Sequence, residues 1–128
     1  MKLPDLETAL LKIPGFKKSP DHTKDTLRLE VDEVDFTVIP DSTNDNRVTV
    51  CCLFGPIPPD HLPDVLREVV AQNVELRRQS STAAFGVSDG DLIYAFSTDA
   101  SIDPDVVQAL GGVMRSAASQ ALHWQQSL

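Results

Sequence analysis

The sequence predicts an α+β fold, an antiparallel five-stranded sheet with three helices in the order αβββαββα, and three observations carry that prediction. Apolar and polar residues alternate through residues 27–38, 48–54 and 85–96, which is the period of half-buried strands. Apolar residues recur at three and four in residues 4–13, 62–73 and 104–128, which is the period of helices. An Asp-Gly pair at 89–90 sits between two alternating segments and marks a hairpin.

The elements follow in order. Pro4 to Lys12 places Leu6, Leu10 and Ile13 on one helical face, with Asp5 and Glu7 in the first turn where the helix dipole favours acids. Pro14 and Gly15 end that helix, and the polar run "KKSPDHTKD" reads as a loop. Leu27, Leu29 and Val31 then alternate with Arg28, Glu30 and Asp32, and Val34, Phe36 and Val38 with Asp35 and Thr37, so two strands meet at Asp32 and Glu33. "DSTNDN" supplies a turn, after which Val48, Val50, Cys52 and Phe54 form the inner face of a third strand. In "PIPPDHLPDVLREVVAQN" Asp60 is the expected N-cap, Pro63 fits a first turn, and Leu62, Val65, Leu66, Val69, Val70 and Asn73 form an apolar stripe ending on an amide. Phe85 and Val87, then Leu92, Tyr94 and Phe96, flank "SDGD" as the last two strands. Asp103 caps a final helix with Pro104 at its first position, periodic to about residue 126. Gly111 and Gly112 inside it each cost about 1 kcal/mol against alanine, so the helix either bends there or is approached too closely for a side chain.

Length and charge narrow the function. The 128 residues fit one domain spanning 1–128, and a net charge of −8 opposes both nucleic acid and anionic membrane. Arg77 and Arg78 are too small a basic patch to reverse this. No stretch has the apolar length of a membrane span, and the start "MKLPDLETALLKIPG" is too interrupted for a signal peptide. Cys51 and Cys52, neighbours on a strand, point to opposite faces and are expected as reduced thiols of a cytoplasmic protein.

The residues that could carry chemistry do not converge. His22, His61 and His123 are scattered, with no pair at metal-ligand spacing, so no metal and no cofactor is expected. Glu30, Asp32, Glu33 and Asp35 sit at a hairpin where charges are ordinarily solvated. "DSTNDN" lacks the glycine and the terminal glutamate of a calcium loop. The cysteines lack a histidine or helix N-terminus beside them in sequence, which favours buried structural thiols over nucleophiles. Trp124 and Phe16 fit either core or exposed anchors for a partner.

The element order, together with "LPDVLREVVAQN", the hairpin "AFGVSDGDLIYAFS" and the ending "SQALHWQQSL", resembles the class I chaperones of bacterial type III secretion, the Tir chaperone family. The match runs from about residue 27 to the end and rests on apolar patterns, acidity and chain length. The resemblance implies a small cytoplasmic homodimer without catalytic activity, which binds the N-terminal segment of a secreted effector without ATP and keeps it partly extended for export. It also implies that Leu66, Val69, Val70, Asn73 and Leu76 form a twofold interface. The alternative is that this stripe packs on the chain's own sheet and Asn73 ends the helix through a left-handed cap. By the same resemblance Leu6, Leu10, Ile13, Leu29, Val31, Phe36 and Val38 would line grooves and a sheet edge for the effector peptide, some of them serving as core. The short first helix and the long polar connection after it depart from the family's pattern. Two other readings stand beside this one: a regulatory adaptor of the same fold that binds a folded partner, and an enzyme whose pocket would bring a cysteine against a histidine.

Overall fold

A computed structural model of the chain describes residues 1–20 and 26–128. Helix α1 (Leu3–Leu10) precedes strands β1 (Phe16–Lys18), β2 (Leu27–Val31), β3 (Val34–Pro40) and β4 (Arg47–Pro56); α2 (Leu62–Arg78), β5 (Ala84–Ser88), β6 (Asp91–Asp99) and α3 (Pro104–Gln126) follow. The strands form one antiparallel sheet in the order β1-β2-β3-β4-β6-β5. The α+β class and its three helices are as the pattern predicts, but the sheet has six strands where five were expected. The additional strand begins at Phe16 and takes in Lys17 and Lys18, the first two residues of the expected loop. Three residues are too few to show alternation, yet Phe16 pairs with Val31 and is buried in the core, which ties Phe16–Lys18 to the edge of β2. His22, and the rest of the expected loop over 21–25, lie outside the described residues.

Alternation along each strand sends Leu27, Leu29, Phe36, Val38, Val50 and Cys52 to one face, where α1 and α3 cover them. Each such aliphatic or aromatic side chain contributes about 1.5–3 kcal/mol by leaving water. The α3 cap is as predicted: the Asp103 carboxylate accepts from Asp105 N–H at 2.9 Å, with Pro104 following. Gly111 resolves into close approach, since a Cβ there would stand 2.5 Å from Ile13 Cδ1, whereas Gly112 faces open space.

Two turns are held in left-handed backbone. The β5–β6 turn has Asp89 and Gly90 at φ 52° and 82°, the geometry for which Asp-Gly is suited. At the β2–β3 turn the residues are Asp32 and Glu33, at φ 50° and 72°, which a side chain disfavours. Arg115 of α3 offsets that cost: it pairs with the Asp32 carboxylate at 3.3 Å, donates to the Pro14 carbonyl and stacks over the Phe16 ring. It thereby ties the α1–β1 connection and the β2–β3 turn to α3.

The start and the end of α2 both differ from expectation. Pro59–His61 form a single 3₁₀ turn and α2 begins at Leu62 with no side-chain cap, so Asp60 does not serve as one. The helix runs five residues past Asn73 to Arg78, and the left-handed residue after it is Ser80, at φ 56°, whose N–H bonds the Arg77 carbonyl. Asn73 is therefore mid-helix and not a C-terminal cap.

Candidate functional site

Helix α2 has 17 residues and not one of them is buried. In water an isolated helix of that length is marginal, so such an element needs a surface to lie on. Part of that surface is β5. Val65, Val69, Asn73 and Leu76, spaced four, four and three, are the half-buried positions of the helix. Asn73 makes the specific contact: its Nδ2 donates to the Phe85 carbonyl at 2.9 Å, and its Oδ1 accepts from Phe85 N–H at 2.7 Å. β5 is the last strand of the sheet, and Phe85 is the residue whose backbone donor and acceptor meet that amide. The amide acts as one peptide unit of a missing neighbouring strand, which is how an edge is blunted.

The other side of the stripe is uncovered. Leu62, Leu66, Val70 and Val74 are exposed, Val70 by 64% of its surface, and Arg77 follows them at helical spacing. The five residues expected at a twofold interface thus divide. Leu66 and Val70 face outward, whereas Val69, Asn73 and Leu76 face β5 and the hollow beside it.

That hollow is a trough of about 670 Å³ between α2 and the end of α3. Its floor is aromatic: Leu92 and Phe96 of the β5–β6 hairpin are buried in the core, whereas Phe85 and Tyr94 stay half-buried between α2 and the end of α3. Phe85 and Tyr94 lie 4.8 Å apart, Phe54 meets Phe85 edge-on at 5.4 Å, and Trp124 of α3 closes the far wall. Asp64 and Glu68 on α2 give the rim its charge, with His123 across from them. Burial pushes the Tyr94 phenol up, so at neutral pH this part of the floor is uncharged. A second hollow of about 480 Å³, lined by Phe96, Val106, Leu110 and Val113, shares Tyr94 with the first and extends it along α3.

Among the described residues no helix covers the opposite face of the sheet. Its centre is neutral: Thr37, Thr49, Cys51, Leu53, Ile93, Ala95 and Ser97 are only half-buried, and the Thr49 and Ser97 hydroxyls bond each other at 3.1 Å. Cys51, Leu53 and Ile93 line a shallow hollow of about 250 Å³ with Arg28, Asp35 and Asp91 at its margin. The register pairs Cys51 with Ala95 on this face and Cys52 with Tyr94 on the other, as expected of neighbouring strand residues. Burial raises the Cys51 thiol, and burial with the neighbouring thiol pushes Cys52 up to about 12, so neither is a thiolate at neutral pH. Among the described residues no histidine lines the Cys51 hollow, and no three His, Cys, Asp or Glu side chains gather as metal ligands.

The residues expected to line a peptide groove are placed differently. Leu6, Leu10, Ile13, Leu29, Val31, Phe36 and Val38 are all in the core, none more than 8% exposed. The correction has a plain cause: α1 and α3 lie directly over these strand residues, and the apolar face that alternation detects is the face they cover. Phe16 is core as well, whereas Trp124 stands half-buried at the trough wall. The aromatic floor was not legible as a site, because Phe54, Phe85 and Tyr94 have the spacing of ordinary core. Among the described residues no helix is long and apolar enough to cross a membrane. The chain matches no protein-family model, and no curated protein matches it at a significant level.

Proposed function

We propose that the protein is a homodimeric export chaperone of the class I type III secretion kind, a bacterial cytoplasmic protein that binds the N-terminal segment of a secreted effector without ATP and performs no chemical step. One observation carries this reading: the fold leaves two separate surfaces open, the apolar α2 stripe with its trough and, on the other side of the sheet, a neutral face where Cys51, Leu53 and Ile93 stand among threonine and serine hydroxyls. A dimeric carrier needs two such surfaces, one for its twin and one for its client, whereas an enzyme needs one enclosed pocket with convergent polar groups. The α2 stripe with its trough serves the twin. The neutral open face around Cys51, Leu53 and Ile93 serves the client, whose unfolded apolar residues gain by burial there what their ordering costs.

The burial of the seven expected groove residues favours a second reading, an adaptor that docks a folded partner on a compact patch. The two are separated by isolating the tagged protein from its native bacterium under secretion-inducing conditions, identifying what co-purifies and digesting the complex with protease. The chaperone reading expects one large protein protected over some tens of residues at its N-terminus. Recovery of folded cytosolic partners alone, or of none, contradicts it.

A further inference from the structure

The α2 stripe and the α2–α3 trough are two unfilled surfaces, and the chemistry of each answers the other. The trough is apolar and aromatic at its floor and acidic at its rim, where Asp64 and Glu68 project and, among the described residues, no lysine or arginine lines it. What fits is a helix with an apolar face flanked by a cation. The outer face of α2 has that composition: Leu66, Val70 and Val74 recur at four, and Arg77 stands next on the same face. Asp64 is already engaged with Arg67 at 3.6 Å and Glu75 with Arg78 at 3.8 Å, but among the described residues neither Glu68 nor Arg77 is in an ion pair. The two lie nine positions apart on one helix, about 13 Å along its axis, so they cannot meet within a chain.

We infer that in the dimer the α2 stripe of each protomer seats in the α2–α3 trough of the other, with Glu68 of one chain pairing Arg77 of its partner. Such a pairing is self-complementary, as a twofold contact must be, and it forms two equivalent charge pairs per dimer. It covers in one step both surfaces that the isolated chain leaves wet, which a client segment in the trough alone does not. The inference rests on the homodimer of the proposed function and adds how its subunits fit.

The test uses the intact chain, with molar mass followed by sedimentation across concentration at low and moderate salt. Wild type should be a dimer. Val70→Asp, at an exposed helix position where the fold itself is not disturbed, should give a folded monomer, and circular dichroism keeps loss of pairing distinct from loss of fold. Glu68→Arg and Arg77→Glu should each weaken dimerisation by about tenfold, more at low salt, because each sets like charges together twice. The double variant Glu68→Arg with Arg77→Glu should return toward wild-type affinity. A wild type that stays monomeric overturns the dimer itself. A dimer that Val70→Asp leaves intact, or whose charge-reversed singles are not rescued by the double, leaves the dimer standing and overturns this fit.

Discussion

Replacing Asn73 with alanine removes the amide that satisfies both backbone groups of Phe85. The two bonds, at 2.9 and 2.7 Å, are each worth about 0.5–1.5 kcal/mol net. The site is half-buried, so water recovers part of that, and the expected loss is about 1–2 kcal/mol. Because α2 buries no residue, the loss should appear as local opening of the helix and not as global unfolding. A factor of ten corresponds to about 1.4 kcal/mol, so the Phe85 amide and the amides of α2 should exchange roughly five- to thirtyfold faster, while those of β2 and β3 keep their protection. Asn73→Asp keeps an acceptor for Phe85 N–H but loses the donor to the Phe85 carbonyl, so at neutral pH it should open α2 as Asn73→Ala does. Unchanged exchange at Phe85 and along α2 in Asn73→Ala refutes the view that this amide holds the helix to the sheet.

Two further outcomes follow from side chains outside α2. The helical glycines should respond in opposite ways: Gly112→Ala, in open space, should stabilise by about 1 kcal/mol in urea unfolding, whereas Gly111→Ala should lose that gain because its Cβ meets Ile13. The thiols should differ as well, with Cys51 alkylated in the native protein and Cys52 only after unfolding, as peptide mapping will show. The Cys52 pKa is raised to about 12, so the unfolded chain releases that proton first and the stability it contributes falls as pH climbs from about 9 toward 12. Cys52→Val should flatten that part of the pH–stability curve relative to wild type.

Periodicity read well wherever one face of an element packs on the chain's own core. Strands β2, β3 and β4 and the whole of α3 were legible for that reason, as were the Asp-Gly turn and the Asp103 cap, whose geometry is local. Phe16–Lys18 was missed because its strand conformation comes from pairing with β2 and from burial of a single phenylalanine. α2 is the most instructive case. Its apolar arc is too broad for one contact, and sequence alone gives an apolar face without saying what lies against it. The same limit misassigned the strand residues of the expected peptide groove, since a core and a groove share period two. Asn73 was expected at a twofold interface or as a helix cap, and its partner is instead the backbone of this chain's own edge strand, a contact that sequence spacing does not reveal.

The central claim is that the open face of the sheet holds an extended client segment while α2 serves the twin, and Cys51 stands in the middle of that face as a built-in reporter. The direct measurement is the rate of Cys51 alkylation in the purified protein, with and without the synthetic N-terminal segment of the co-purified protein, with binding followed independently by calorimetry. The account predicts that the bound segment slows alkylation of Cys51 in proportion to occupancy. A segment that binds and leaves the Cys51 rate unchanged, or one that does not bind at all, contradicts it.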